Sequence, residues 1–317
     1  MTGSVTIKNV AVVGTGVIGA SWASLFLAKG LKVAATDPAP GAEGRLREFV
    51  KSAWPMLEKI GLEPSASIEN LTFHSELEQA VRNADFVQEN GPESKGFKEK
   101  LFKQLDAAAP KNAILASSSS GLPSSEFVSL CQNNPGRVLI GHPFNPPHVV
   151  PLVEIVPHKD TEEEYIEKAL NFYKLLGKAP IVIRKEVKGF AANRLQAALN
   201  REVFSLVKEG VCSANDVNVA ITQGPGLRWA LLGPYVDLDL AGGQGGATHA
   251  LEHLGPAMQS WIDDFKPIRL EGETLKFLGE AASSVTSKLD MKEAVRDRDE
   301  LLVSIVQAKQ GKKSFPI

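Results

Sequence analysis

The sequence predicts an α/β protein in which an N-terminal, doubly wound, mainly parallel sheet is followed by an all-helical C-terminal domain. Three observations carry this. A β-branched run at Ile7–Val13 ends in the glycine-rich turn Gly14-Thr15-Gly16-Val17-Ile18-Gly19 and passes directly into a helical pattern. Short apolar strands and amphipathic helices then alternate as far as Ile183, the order expected of βαβ units. Beyond Gly189 strand-like runs cease and helical periodicity takes over. The boundary is placed at 186/187, giving domains 1–186 and 187–317.

Composition sets the outer limits. A chain of 317 residues is long enough for two cores. Its formal net charge of −2 lacks the basic excess that tracks a phosphate backbone, so no nucleic-acid partner is expected. Only Cys131 and Cys212 occur, which leaves no disulfide framework and no cysteine-based metal spacing and fits a reducing compartment. No metal is expected. The N-terminus lacks a basic region followed by an apolar run, and no apolar stretch approaches the roughly 20 residues that cross a bilayer. A cytoplasmic location without a membrane partner follows as the expectation.

In chain order, the first helix is expected over Ala20–Lys29, with Gly30 at its end. In a strand–turn–helix context the glycines have separate reasons: Gly14 for the tight turn, Gly16 to admit a pyrophosphate against the backbone, Gly19 for helix-to-strand packing. The backbone N–H groups at Val17 and Ile18 open the helix and face an anion. A dinucleotide is the ligand this pattern predicts. The next strand, Leu31–Thr36, ends at Asp37, where a carboxylate can accept from an adenosine ribose and would repel a 2′-phosphate, favouring NAD over NADP. A plain turn role beside Pro38 is the alternative.

A long amphipathic helix over 41–60 precedes strands at Leu71–His74 and Ala84–Glu89, with a helix at Glu76–Val81 between them. A helix from Ser94 to Ala108 follows the second strand. Glu93 and Lys98 stand at its start, outside the carboxyl end of a parallel strand, and are cofactor candidates; an inconsequential surface charge pair is the other reading. Strand Ala113–Ala116 delivers Ser117-Ser118-Ser119-Ser120 to the same edge, where hydroxyls can donate to a ribose or a substrate oxygen. Strand Arg137–Ile140 delivers His142.

The stretch Gly141–Pro157 places His142 twelve residues ahead of Glu154. Pro143, Pro146, Pro147 and Pro151 exclude continuous helix, so a rigid loop leading into a strand at Leu152–Val156 is expected. An imidazole titrates near neutral pH, and a carboxylate on its second nitrogen sets the tautomer and stabilises the imidazolium. His142 is the candidate base and Glu154 its partner. The alternative is a turn-capping histidine and a solvated glutamate.

A helix over Glu162–Leu176 and a strand at Ile181–Ile183 complete the first domain. Helices are expected at Phe190–Lys208, at Ala214–Ile221 behind a Ser213 cap with Asp216 three residues on, and around His249–His253, Ala257–Phe265 and Thr274–Ser284. Gln310–Ile317 reads as a tail. Asn193, in the first turn of the long helix, can close over the nucleotide domain.

GTGVIG at 14–19, Glu93 with Lys98, SSSSGL at 117–122, GHPFNPPHVVPLVE at 141–154 and KGFAANRL at 188–195 occur in the order in which the 3-hydroxyacyl-CoA dehydrogenase family carries such motifs, and the chain resembles that family. The resemblance implies a Rossmann-type NAD domain, a helical domain that forms a homodimer, and a cleft between them where a 3-hydroxyl is oxidised. It implies that His142 is the catalytic base, Glu154 its carboxylate and Ser120 the serine on the substrate oxygen. It further implies that Asn193 is the amide at the substrate and that Asp37, Glu93, Lys98 and Ser117 are cofactor-side positions.

HPFNPPHVVPLVEIVPH and GPGLRWALLGPY are closer to members acting on small free acids, the lambda-crystallin (L-gulonate 3-dehydrogenase) and L-carnitine dehydrogenase branch. A small carboxylate substrate of the L-gulonate type is expected, with L-carnitine and a 3-hydroxyacyl-CoA ester as alternatives. A non-catalytic, crystallin-like NAD-binding protein is the alternative of another class. A buried arginine is costly unless paired, so Arg228 is expected at the cleft on the substrate carboxylate, or else in a salt bridge within the helical domain. A trimethylammonium group would call for aromatic faces, which Phe144, Trp229 and Tyr235 can supply.

Overall fold

The computed structural model describes residues 7–312. The chain divides into two compact units, Met1–Arg194 and Leu195–Ile317. The division falls inside the first turn of a helix, beyond the expected 186/187, because the residues just before it are still bonded into the first unit.

The first unit is built on one eight-stranded sheet. In chain order it runs β1 (Asn9–Val13), α1 (Val17–Ala28), β2 (Lys32–Thr36), α2 (Ala42–Ile60), β3 (Leu71–His74), α3 (Leu77–Val81), β4 (Phe86–Glu89) and α4 (Lys95–Ala108). There follow β5 (Ile114–Ser117), β6 (Val138–Pro143), β7 (Leu152–Pro157), α5 (Glu163–Leu175) and β8 (Ala179–Val182). The strand order is β3-β2-β1-β4-β5-β6-β7-β8. Neighbours pair in parallel except β6 with β7, which are antiparallel. The reversal follows from chain length: the link 144–151 is too short for a crossover, which needs a dozen or more residues.

Both faces of the sheet are covered, so its strands are largely apolar on both faces rather than alternating. Val10 and Val12 of β1 face a core with α1, α2 and α5, while Ala11 and Val13 face another with α3 and α4. The first core holds an aromatic cluster in which Trp22 stacks on Phe26 at 5.4 Å and Phe86 meets Phe172 at 4.5 Å between ring centres. Trp22, Phe26 and Phe86 are fully buried, and truncation of such a side chain costs about 3–5 kcal/mol.

The second unit contains helices alone among its described residues. α6 (Ala192–Lys208) crosses from the first unit, and α7 (Ala214–Thr222) opens with the expected Ser213–Asp216 capping box. α8 (Pro225–Trp229) and α9 (Pro234–Ala241) are short helices that the Gly- and Pro-punctuated sequence masks. The two stretches expected around 249–253 and 257–265 are one helix, α10 (Gly246–Asp264), which continues through Pro256. α11 (Gly272–Thr286) is followed by α12 (Met291–Lys309), an unexpected helix whose run of charges hides its apolar stripe and whose start is capped by Asp290. Of the expected tail, residues 313–317 lie outside the described residues.

Candidate active site

The carboxyl ends of β1, β2, β4, β5 and β6 lie on one edge of the sheet, and the chain's reactive side chains collect there. The glycine turn is shaped by two constraints and one opening. Gly14 has φ +83°, and a Cβ there would come 2.9 Å from Asn90 O; one on Gly19 would come 1.9 Å from Gly14 O. These two are demanded by the protein itself. At Gly16 a Cβ meets nothing within 4 Å, so the space in front of it is free for a ligand. The first helical bond runs from Ala20 N–H to Gly16 O, which leaves the N–H groups of Val17, Ile18 and Gly19 ahead of the ladder. Such a cradle at a helix N-terminus fits a pyrophosphate.

Asp37, half-buried at the end of β2, accepts from Thr15 N–H at 2.7 Å and Thr15 Oγ1 at 3.2 Å through Oδ2, and from Ala39 N–H at 2.8 Å through Oδ1. It therefore braces the glycine turn from the end of β2.

Lys98 and Ser117 belong to one buried cluster. Lys98 does not pair with Glu93; its ammonium lies 2.9 and 2.8 Å from the two carboxylate oxygens of Glu89 and 3.3 Å from Ser117 Oγ, while Ser117 donates to Glu89 Oε2 at 2.6 Å. All three side chains are sealed from solvent. A buried lysine needs a carboxylate, and Glu89 is the nearer one. Lys98 and Ser117 thus lie beneath the sheet edge and support it. Glu89 also accepts from Gly91 N–H at 2.5 Å, which ties the triad to the loop carrying Glu93. The sequence signal for Glu89 was its place as a charge ending an otherwise buried strand.

Glu93 is pinned as a loop anchor. Its Oε1 accepts from Ser119 Oγ at 2.7 Å and from the N–H groups of Gly121 and Leu122 at 3.0 Å each. Burial opposes its ionisation, but these hydrogen bonds and the nearby Lys98 outweigh it and hold the carboxyl below its ordinary range. Ser119 is the serine paired with it. Ser120, next along the chain, is exposed, and its carbonyl accepts from Asn193 Nδ2 at 2.8 Å.

His142 and Glu154 face each other directly across the β6–β7 ladder. Opposed residues of an antiparallel pair share a face, and Glu154 Oε2 lies 2.9 Å from His142 Nδ1. Oε1 accepts from the N–H groups of Ala191 and Ala192 at 2.8 and 2.9 Å. Burial raises the cost of ionising Glu154, yet the bonds from His142, Ala192 and Ala191 bring its carboxyl below the ordinary range. An ionised carboxylate only accepts, so Nδ1 carries a hydrogen, and in a neutral ring the lone pair falls to Nε2. The ring packs against Phe144 at 5.3 Å and Phe190 at 5.6 Å.

Phe190 stands in the left-handed region at φ +50°, directly after Gly189 at φ +74°. The expected helix start at Phe190 is therefore two residues early: this turn aims the N–H groups of Ala191 and Ala192 at Glu154 as α6 begins. Asn193 follows at once, so one short segment grips the histidine's carboxylate and reaches Ser120.

With this geometry in hand, comparison with known proteins is decisive for the family. The profile of the 3-hydroxyacyl-CoA dehydrogenase NAD-binding domain matches residues 9–187, and that of the C-terminal domain matches 189–267. The chain belongs to the 3-hydroxyacyl-CoA dehydrogenase family. It is 45% identical to a 3-hydroxyacyl-CoA dehydrogenase of Gibberella moniliformis over 98% of this chain and 97% of that protein. It is 44% identical to an L-carnitine dehydrogenase of Bacillus cereus over 96% of this chain and 93% of the relative. Among solved structures, 5-formyl-3-hydroxy-2-methylpyridine 4-carboxylic acid 5-dehydrogenase, described as an NAD+-dependent dismutase, superposes with a TM-score of 0.83 at 28% identity, covering 96% of this chain and 99% of that one. As a member of this family the protein is an NAD-dependent oxidoreductase acting on a 3-hydroxy group.

Of the two settings expected for Arg228, the salt bridge within the helical unit is the one observed. Its side chain is 63% exposed and its Nε lies 2.8 Å from Asp237 Oδ1. The guanidinium already has water and a carboxylate, so the burial that would have demanded a substrate carboxylate is not there. Trp229 and Tyr235 of the same unit are exposed. Among the described residues no helix is long and apolar enough to cross a membrane.

Proposed function

We propose that the protein oxidises the 3-hydroxyl of a small L-3-hydroxy acid to the 3-keto acid, with L-carnitine as the favoured substrate and His142 as the base. The observation that carries the chemistry is the buried His142–Glu154 pair, which leaves Nε2 as a basic lone pair at the sheet edge. NAD, when bound, supplies the acceptor for the hydride that leaves C3. His142 Nε2 takes the hydroxyl proton as that hydride departs, and Glu154 stabilises the imidazolium that results. Ser120 and Asn193, already joined to each other, hold the substrate oxygen as its charge develops. Gly14, Gly16, Val17, Ile18 and Gly19 shape the pyrophosphate cradle, and Asp37 takes the adenosine ribose.

L-Carnitine is favoured because relatives bearing that name align with almost the whole chain at 40–44% identity. Phe144, beside His142, offers an aromatic face for its trimethylammonium group. The Gibberella relative supports a second reading, a 3-hydroxyacyl-CoA ester; L-gulonate rests on the phrase HPFNPPHVVPLVEIVPH. A homodimer through the helical unit is part of the proposal, supported by apolar side chains that this unit exposes, among them Leu254, Trp261, Ile262 and Phe265. Two free cysteines suit the reducing cytoplasm.

The deciding experiment is a panel of L-carnitine, L-gulonate, L-3-hydroxybutyrate and its CoA ester, followed by NADH absorbance. The highest kcat/KM on L-carnitine is expected. A CoA ester far above every free acid would move the protein to the acyl-CoA branch, and no turnover with any of them, despite NAD binding, would make it non-catalytic.

A further inference from the structure

The segment that joins His142 to Glu154 contains Pro146, Pro147 and Pro151, each of which lacks a backbone donor. Its carbonyl groups therefore need partners from elsewhere. Pro146 O accepts from Val149 and Val150 N–H at 3.0 and 2.9 Å, and Pro151 O from Ala179 N–H at 2.9 Å. The carbonyls of Pro147 and Val150 are both taken by one side chain, the ammonium of Lys178, which lies 2.5 Å from Val150 O. Lys178 is buried at the start of β8, with its nitrogen 5.3 Å from the ring centre of Trp22 on α1. Burial pushes the Lys178 ammonium down to about 7. Either protonation state keeps at least two N–H donors for the two carbonyls.

The same segment is held from a second side. Ser21 of α1 is fully buried; its Oγ accepts from His148 N–H at 2.9 Å and lies 2.7 Å from His148 Nδ1. Ser21 stands two residues beyond the glycine turn. The β6–β7 ladder is complete from Leu139↔Pro157 to Pro143↔Val153 without either side chain. A buried lysine is an expensive way to fill space, since methionine would pack there with no charge to desolvate. Here its donors go to a single short segment.

We propose that Lys178 and Ser21 are positioning residues for the dehydrogenation: they fix the segment between His142 and Glu154 and dock it on the cofactor-binding helix α1. Base, carboxylate and glycine turn then keep one mutual geometry. This rests on His142 being the base.

The test measures kcat, KM and the NAD Kd for Lys178→Met and Ser21→Ala, each alone and combined with Glu154→Gln, on the best substrate of the panel above. Lys178→Met should lower kcat about tenfold or more, because small misplacements of reacting groups are costly, while KM and NAD Kd stay within about twofold. Ser21→Ala should move kcat the same way by about threefold or more. In the Glu154→Gln background both losses should shrink, since the pair they align is already broken. Wild-type kcat in a folded variant, or losses that multiply in full with Glu154→Gln, overturn the proposal. Should Lys178→Met fail to fold, Ser21→Ala decides by the same two outcomes. His142→Ala is the control: if it retains turnover, the base assignment fails first, whereas an inactive His142→Ala beside a fully active Lys178→Met refutes the positioning role alone.

Discussion

Glu154 sits directly across the antiparallel ladder from His142, and its two oxygens divide their work: Oε2 holds Nδ1 at 2.9 Å while Oε1 takes the N–H groups of Ala191 and Ala192. One carboxylate thus orients the proposed base and fastens the segment that leads to Asn193. Replacing His142 with Gln should lower kcat by about 10² to 10⁴ while NAD affinity stays near wild type. Near-normal turnover in that variant, measured by NADH formation under saturating substrate, would remove His142 from the mechanism.

Glu154→Gln keeps most of the shape but loses the charge, and its kcat should fall less than that of His142→Gln. It should also change acid stability. The Glu154 carboxyl is depressed below its ordinary value of 4.5 in the folded state, so its contribution to stability is present above that value and disappears as pH falls through the lower folded one. Thermal unfolding midpoints between pH 6 and pH 3 should therefore drop less steeply in Glu154→Gln than in wild type; parallel curves would contradict the assignment.

Asp37→Ala should weaken NAD binding and reduce the preference for NAD over NADP. Because Asp37 also holds Thr15 N–H, the variant should lose some thermal stability as well. A lower unfolding temperature with an unchanged ratio of NAD to NADP kcat/KM would leave Asp37 as a turn residue only.

The Glu89–Lys98 pair is sealed from solvent, and removal of one partner strands the other charge. Lys98→Met alone should cost about 3–5 kcal/mol in urea unfolding. Lys98→Met with Glu89→Leu should cost less than either single change, the opposite of what two cofactor-contacting residues would show. Additive losses would speak against the pairing.

Arg228→Ala, tested on a free acid and on its uncharged ester, should change kcat/KM for both to the same degree, because the guanidinium is paired with Asp237 in an exposed position. A loss confined to the acid would return Arg228 to the substrate carboxylate.

What could be read from the sequence follows how local each signal is. The glycine turn, Asp37 and the strand ends rest on contiguous motifs, and the structure places them on one sheet edge. His142 and Glu154 were legible because both lie on strands that flank a single short loop. That Lys98 meets Glu89 and not Glu93 depends on which carboxylate is buried, which spacing does not reveal. For Arg228 the two readings differ in burial, which the apolar neighbourhood in sequence does not report; the salt-bridge reading is the contact observed, in an exposed setting. The antiparallel direction of β7 and the full length of α12 were missed: one is set by link length, the other by an apolar stripe masked by charge.

Phe190 adopts a backbone conformation that glycine would fill at lower cost, by about 1–3 kcal/mol, and its ring stands against His142 on one side as Phe144 does on another. Flanked by two rings and tied at Nδ1, the imidazole keeps one nitrogen assigned to Glu154. With His142 as the base, every turnover would then begin from the same tautomer, and the proton it collects would land on Nε2 each time.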